Sequence, residues 1–169
     1  MKDILEVSKN YAITTHKRVN QFYGDYPYEY HLKSVYEIGK KFLYLIPEKH
    51  INNVLSACWL HDIIEDGRET YNDVKKQTNI EIAELVFALT NEKGRTRKDR
   101  ANDKYYEGIR NTKFATFVKI ADRIANIEFS KKQKNNKMYK MYCRENNTFI
   151  EKIFDYKYQV MIDYLRKLC

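Results

Sequence analysis

Glycine and proline are scarce in this chain, five and two among 169 residues. A protein built of sheets turns its chain every several residues and draws on both residue types to do so. So few of them leave helices joined by short connections as the architecture the chain can adopt. Apolar spacing agrees with that limit. The pattern predicts a helix from Ile4 to about Phe22, ended by the turn Gly24-Asp25-Tyr26-Pro27. A second runs from about Tyr28 to Leu45, where Leu32, Val35, Tyr36, Ile38, Phe42 and Leu45 recur mostly at three- and four-residue steps, and Pro47 stops it. Ile51 to Asp66 is nearly apolar in its middle and reads as a central buried helix, with Gly67 at the place of a left-handed cap.

Thr70 with Asp73, and Thr78 with Glu81, mark two helix starts of the capping-box type. A basic loop, NEKGRTRKDR, leads to a polar helix from about Asp99 to Arg110. The buried segment TKFATFVKIADRIANIEF follows, then two closing helices around Asn136 to Arg144 and Thr148 to Leu168. Strands are hard to place anywhere. The expectation is one all-α domain over residues 1–169, a compact bundle of about 7–9 helices.

Hydrophobic residues at 43% and charged residues at 32% are globular proportions, enough to bury a core without disulfides or a structural metal. Cys58, Cys143 and Cys169 are odd in number and widely spaced, which predicts neither a disulfide framework nor a CxxC metal site and fits a reducing compartment. The first twenty residues lack the apolar run of a signal peptide, and no stretch approaches the roughly 20 apolar residues of a membrane span. The expected location is the cytoplasm. The net charge of +8 gathers at Lys93–Arg100 and Lys131–Lys137. That charge suits small anionic substrates such as nucleotides as well as nucleic acid, and no RRM, zinc-finger or bZIP pattern accompanies it, so nucleic acid is the minor expectation.

The informative residues are polar groups in apolar places. His61 and Asp62 interrupt the otherwise core-like ACWLHDIIED. A buried carboxylate needs a cation, a metal or strong hydrogen-bond donors. Asp122 shares a stripe with Val118, Ala125 and Phe129, while its neighbour Arg123 points about 100° away round the helix. His31 opens an amphipathic helix. Imidazole and carboxylate groups from three helices suit a divalent transition metal such as Mn, Fe or Zn better than calcium. Each anomaly has a plainer reading: a satisfied core histidine, a capping Asp62, or an Asp122 paired with Arg18 or Arg123. His16 and His50 have no comparable context and read as surface or local polar residues.

An isolated His, a contiguous His-Asp and a distant Asp resemble the H…HD…D signature of the HD phosphohydrolase superfamily, here His31, His61-Asp62 and Asp122. The surrounding text is similar to its RelA/SpoT-type branch: HDIIEDG to HDxxED, VKIADRIANI to KLADRxxN, and GDYPYEYHL to GxPYxxHP. The likeness runs from about residue 11 to 127, leaving a C-terminal helical pair at about 134–169. It implies an all-α HD domain with one divalent metal, manganese in this branch (with Fe²⁺, Zn²⁺ or Mg²⁺ as alternatives), held by His31, His61, Asp62 and Asp122. It further implies hydrolysis of the 3′-pyrophosphate of (p)ppGpp. Glu65 and Asp66 match the pair that positions and deprotonates the attacking water, and Asn126 matches a nucleotide contact.

Helical spacing is consistent with these roles, since Glu65 and Asp66 follow His61 and Asp62 by one turn. Lys119 and the basic loop, Arg95 and Arg97 among its residues, are available to offset phosphate charge. The chain departs from the branch at Phe22, where a base-packing cation is usual, and at Glu128 and Phe129, where Arg-Thr is usual. Those three positions leave two other functions open: an HD-type nucleotide phosphatase or phosphodiesterase with another substrate, and a non-catalytic nucleotide-binding regulator. The expected partners are a nucleotide and a second copy of the chain in a homodimer, with no membrane.

Overall fold

The computed structural model describes residues 3–169, with the Lys98 side chain outside the description. Two helices make its centre. α3 (Ile51–Leu60) buries every side chain from Val54 to Leu60, and α8 (Ala115–Lys132) is buried on nearly all sides along its first three turns. A helix apolar all round has to be enclosed by others, and the rest of the chain does this. α1 (Ile4–Arg18), α2 (Glu29–Lys41) and α5 (Ile80–Leu89) pack on α3. α2, α5, α7 (Asp103–Asn111), α9 (Asn136–Ile153) and α10 (Gln159–Leu168) pack on α8. α4 (Tyr71–Gln77) lies along α5. Among the described residues that makes nine helices of seven residues or more, plus a single turn, α6 (Arg97–Arg100). The all-α expectation holds. No helix is long and apolar enough to cross a membrane.

α2 packs closely on α3 at Gly39, where an added Cβ would stand 3.0 Å from the Cys58 sulfur. The start of α2 lies beside the end of α3, where His31 meets His61. Burial first, then the charge of Asp122, pushes the Cys58 thiol up to about 12, so it stays a packing group.

Several local expectations are corrected. A two-residue hairpin, β1 (Phe22–Tyr23) paired antiparallel with β2 (Tyr26–Pro27), stands where only a turn was expected. Gly24 takes φ +59° at its tip. The central helix ends at Leu60, and His61 to Asp66 form a tight turn beyond it, with Ile63 N–H donating to Leu60 O and Asp66 N–H to Asp62 O. The left-handed residue is Arg68 (φ +63°), one position after Gly67. Gly67 is required for space instead, because a Cβ there would lie 2.5 Å from the Ile63 carbonyl.

The Thr70–Asp73 capping box is present. The next helix, however, is capped by Asn79, which accepts from Ile82 N–H, while Glu81 turns to His50 and Asn53. Thr96 and Asp99 make a capping box inside the basic loop, and the polar helix begins only at Asp103. The C-terminal pair is divided at Phe154, not near residue 146, because α9 runs unbroken to Ile153. Cys143 and Cys169 are bonded, against the expectation of no disulfide. α10 folds back beside α9, bringing two cysteines 26 residues apart to a Cα separation of 5.3 Å. Tyr139 donating to Leu168 O, and Asn146 donating to Leu165 O, hold that pairing. Cysteine usage therefore no longer argues for a reducing compartment.

Candidate metal centre

Where α2 begins, α3 ends and α8 passes its second turn, four polar side chains meet under an apolar roof. His31 Nε2 lies 3.1 Å from His61 Nε2, 3.5 Å from Asp62 Oδ2 and 3.4 Å from Asp122 Oδ1. His61 Nε2 lies 2.9 Å from Asp62 Oδ2 and 3.7 Å from Asp122 Oδ1. Ligand atoms each ~2.1 Å from one divalent ion stand roughly 3.0–3.4 Å apart. These spacings fit that geometry, and the ligand atoms of His31, His61 and Asp122 all fall within 4.8 Å of one another. His61 Nδ1 bonds to the Cys58 carbonyl at 3.0 Å. A neutral His61 thus carries its proton on Nδ1 and turns the Nε2 lone pair into the cluster.

The electrostatics are those of a cation site. Burial opposes a charged His31, but hydrogen bonds and charge from Asp122 and Asp62 outweigh it and push its pKa up to about 9. Burial likewise opposes ionisation of Asp62, yet the His61 charge and the His31 hydrogen bond hold it well below the usual carboxylate range. Asp122 is held low in the same way against burial, by Lys119 first. The buried Asp122 and the partly buried Asp62 therefore stay ionised and attract positive charge.

The surrounding groups fix these four. Asn126 donates to Asp122 Oδ1 at 2.6 Å and accepts from the Tyr23 hydroxyl at 2.7 Å, so it orients a candidate ligand as well as lining the cleft. Lys119 Nζ sits 2.9 Å from Asp122 Oδ2, and the same carboxylate holds the ammonium charged despite burial. Arg18 and Arg123, the plainer partners considered for Asp122, go elsewhere, to Glu69 and Glu145. Tyr28 donates to Asp62 Oδ2 at 2.5 Å. Burial first, and then the charges of Asp62 and Asp66, raises its phenol far above its ordinary value, so it remains a donor.

His16, read from sequence as a surface or local residue, is buried and stacks on the Tyr28 ring at 4.5 Å. The signal available was its place on the apolar face of α1, four residues after buried Ala12. His50 is a local polar residue as expected, bonded to Glu81 and Lys113.

A cavity of about 640 Å³ opens beside Asp122 between the basic loop, α7, α8 and α9. Arg97, Arg100, Lys119, Arg123 and Arg144 supply its charge, and Tyr105, Tyr142 and Phe149 are among its rings. The Arg123 guanidinium lies between Tyr142 and Phe149, 5.0 and 4.4 Å from their centres, and shares Glu145 with Arg97. Arg95 is exposed and does not line this cavity, so the two loop arginines expected together at the substrate are separated. Arg97 belongs to the one-turn helix that the Thr96 cap builds over the cleft, whereas Arg95 precedes that cap. Arg123 is read from sequence only as a candidate partner of Asp122; the packing of α9 against α8 brings it to the cleft together with Arg144 and Tyr142.

Glu65 lines this cavity and also a smaller groove with Asp66, Phe22 and Arg68. It bonds to Asn91 at 2.8 Å. Phe22 is an exposed ring in that groove. Glu128 and Phe129 face other parts of the structure. Glu128 accepts from Tyr164 on α10, and Phe129 packs on Tyr23, Tyr26 and Tyr30 to hold the hairpin over His31.

No protein-family profile matches the chain. Over 74 residues, 44% of this chain, it is 28% identical to guanosine-3′,5′-bis(diphosphate) 3′-pyrophosphohydrolase MESH1 of Drosophila melanogaster, and the match spans 41% of that relative's length. A solved structure of a metazoan ortholog of SpoT, which hydrolyses ppGpp and plays a role in starvation responses, superposes with a TM-score of 0.76 at 19% identity. That superposition covers 99% of this chain and 96% of the other. The chain thus shares its whole fold with that ortholog.

Proposed function

We propose that this chain is a metal-dependent phosphohydrolase that removes the 3′-pyrophosphate of (p)ppGpp or a closely related nucleotide. One observation carries the reading. The side chains of His31, His61, Asp62 and Asp122 converge behind a basic, ring-lined cleft, and Asp122 and Glu65 are in the wall of that cleft. The similarity to MESH1 and the shared fold support the substrate class.

In this reading His31, His61, Asp62 and Asp122 hold one divalent ion, manganese first among the candidates. Such an ion supplies Lewis acidity toward a phosphoryl oxygen. Glu65 and Asp66 orient the attacking water and take its proton. Lys119 and Arg97 offset the charge that develops on the departing pyrophosphate. The rings of the cleft and the exposed Phe22 provide flat apolar surfaces for a base. Neither Glu128 nor Phe129 lines the cleft, so two of the three departures from the alarmone-hydrolase pattern do not touch the substrate's place. We place the protein in the cytoplasm, where its nucleotide substrates occur.

The test is pyrophosphate release from ppGpp with added Mn²⁺, beside GTP, dGTP and a phosphodiester, in the wild type and the Asp62→Ala and Glu65→Ala variants. Manganese-dependent release from ppGpp, falling at least a hundredfold in both variants, is the expected result. Turnover of a different nucleotide would move the substrate and keep the site. Absence of both metal binding and turnover would sink the reading.

A further inference from the structure

Tyr28 is the residue through which the candidate metal ligand Asp62 and the candidate base Asp66 are connected. It lies at the start of α2 with its ring buried. His16 stacks on one side at 4.5 Å, and the edges of Tyr23 and His31 meet it at 6.2 and 5.5 Å. Held in this way, the phenol has little freedom to turn, and its oxygen stands 2.5 Å from Asp62 Oδ2 and 3.3 Å from Asp66 Oδ2. Asp62 Oδ2 is also the oxygen that faces His61 Nε2 and His31 Nε2. The phenol therefore reaches the oxygen on the metal side of the carboxylate.

Asp66 is exposed at the end of the His61–Asp66 turn, and Tyr28 is the only side chain to which it bonds among the described residues. Glu65, by contrast, is anchored independently by Asn91. Without the phenol, Asp62 keeps only its neighbours in the cluster, and Asp66 has no side chain among the described residues to hold it toward Asp62.

We propose that the Tyr28 hydroxyl is a positioning group whose single proton, donated to Asp62 Oδ2 and shared more weakly with Asp66 Oδ2, fixes Asp62 for metal binding and draws Asp66 to the same site for water activation. This rests on the metal-site reading above. Hydrogen-bond partners of metal ligands commonly change affinity or activity ten- to a hundredfold when removed. Tyr28→Phe keeps the ring and its stacking on His16 and deletes only the hydroxyl.

Binding of MnCl₂ alone by calorimetry, the rise in Tm that saturating Mn²⁺ produces, and kcat and KM on ppGpp are compared between wild type and Tyr28→Phe. The expected result is a ten- to hundredfold weaker Mn²⁺ affinity, a smaller metal-induced rise in Tm, and a similar fall in kcat with KM within twofold. A hydrogen bond of purely structural value would lower Tm equally with and without Mn²⁺ and leave affinity and kcat at wild-type values, and that outcome overturns the proposal. A wild type that binds no Mn²⁺ overturns the metal-site reading and this inference with it. A wild type that binds Mn²⁺ but leaves ppGpp intact still decides the role of Tyr28, through the affinity arm.

Discussion

His31 shows how one buried residue can couple protonation to folding. Its side chain is nearly sealed from solvent, and two ionised carboxylates within 3.5 Å raise its pKa from 6.5 to about 9. A group whose pKa is raised on folding contributes stability that is complete below its unfolded value and disappears as pH rises through its folded value. Metal-free protein is therefore expected to lose stability between about pH 6.5 and pH 9, by on the order of 3 kcal/mol. Thermal unfolding in a chelating buffer at the two ends of that window checks it. Mn²⁺ affinity should rise over the same window, because proton and metal compete for one nitrogen. A Tm that stays level across it would mean that His31 is neutral throughout.

The decisive element is the turn from His61 to Asp66, which carries four of the six proposed metal and catalytic residues within six positions. A continuous helix would place these side chains one turn apart along a single face. The tight turn after Leu60 keeps Asp62 at the cluster and carries Glu65 to the edge of the cleft and Asp66 to the smaller groove beside it. Gly67 closes the turn by lying against the Ile63 carbonyl, which accepts from Glu69 N–H. Gly67→Ala forces that backbone apart, at a cost of about 1–3 kcal/mol. Weaker Mn²⁺ binding should accompany the loss of Tm, and wild-type values of both would show that the turn can give way without moving its ligands. The one-turn helix α6 is a more delicate element, since it is a single turn whose Thr96–Asp99 capping box supplies two of its few local hydrogen bonds. Thr96→Ala, a loss of about 1 kcal/mol of local stability, should raise KM for ppGpp through Arg97 and leave kcat nearly unchanged. An unchanged KM in steady-state assays would remove Arg97 from the substrate's path.

Across the whole molecule, α9 forms one wall of the cleft through Tyr142, Arg144, Glu145 and Phe149, and α10 folds back on it to fasten the end of the chain. The Cys143–Cys169 bond closes a 26-residue separation over that pair. By the chain-entropy estimate such a closure contributes about 3.5 kcal/mol. Oxidised wild-type protein should unfold at a higher temperature than Cys169→Ser, and dithiothreitol should erase the difference. Equal Tm values before reduction would mean that the link adds nothing to the folded state. Arg123 lies between the rings of this wall, so loosening α9 should disturb the cleft before it disturbs the candidate metal cluster on α2, α8 and the turn after α3.

Much of this organisation is written locally in the chain. The scarcity of turn residues and the three- and four-residue apolar spacing lead to an all-α bundle, and His31, His61, Asp62 and Asp122 are conspicuous because charge is costly in apolar segments. Such signals depend on neighbours within a turn or two of helix, so one sequence is enough to carry them. Tertiary packing decided the rest. It buried His16 against Tyr28, drew Asn126 onto Asp122, separated Arg95 from Arg97, and set Arg123 between rings from α9. It also joined Cys143 to Cys169 and broke the central helix at Leu60, where Gly67 must fit beneath Ile63 and against Thr15. Each of these depends on which distant segments come within a few ångströms of one another, and residue spacing along the chain carries no record of that distance.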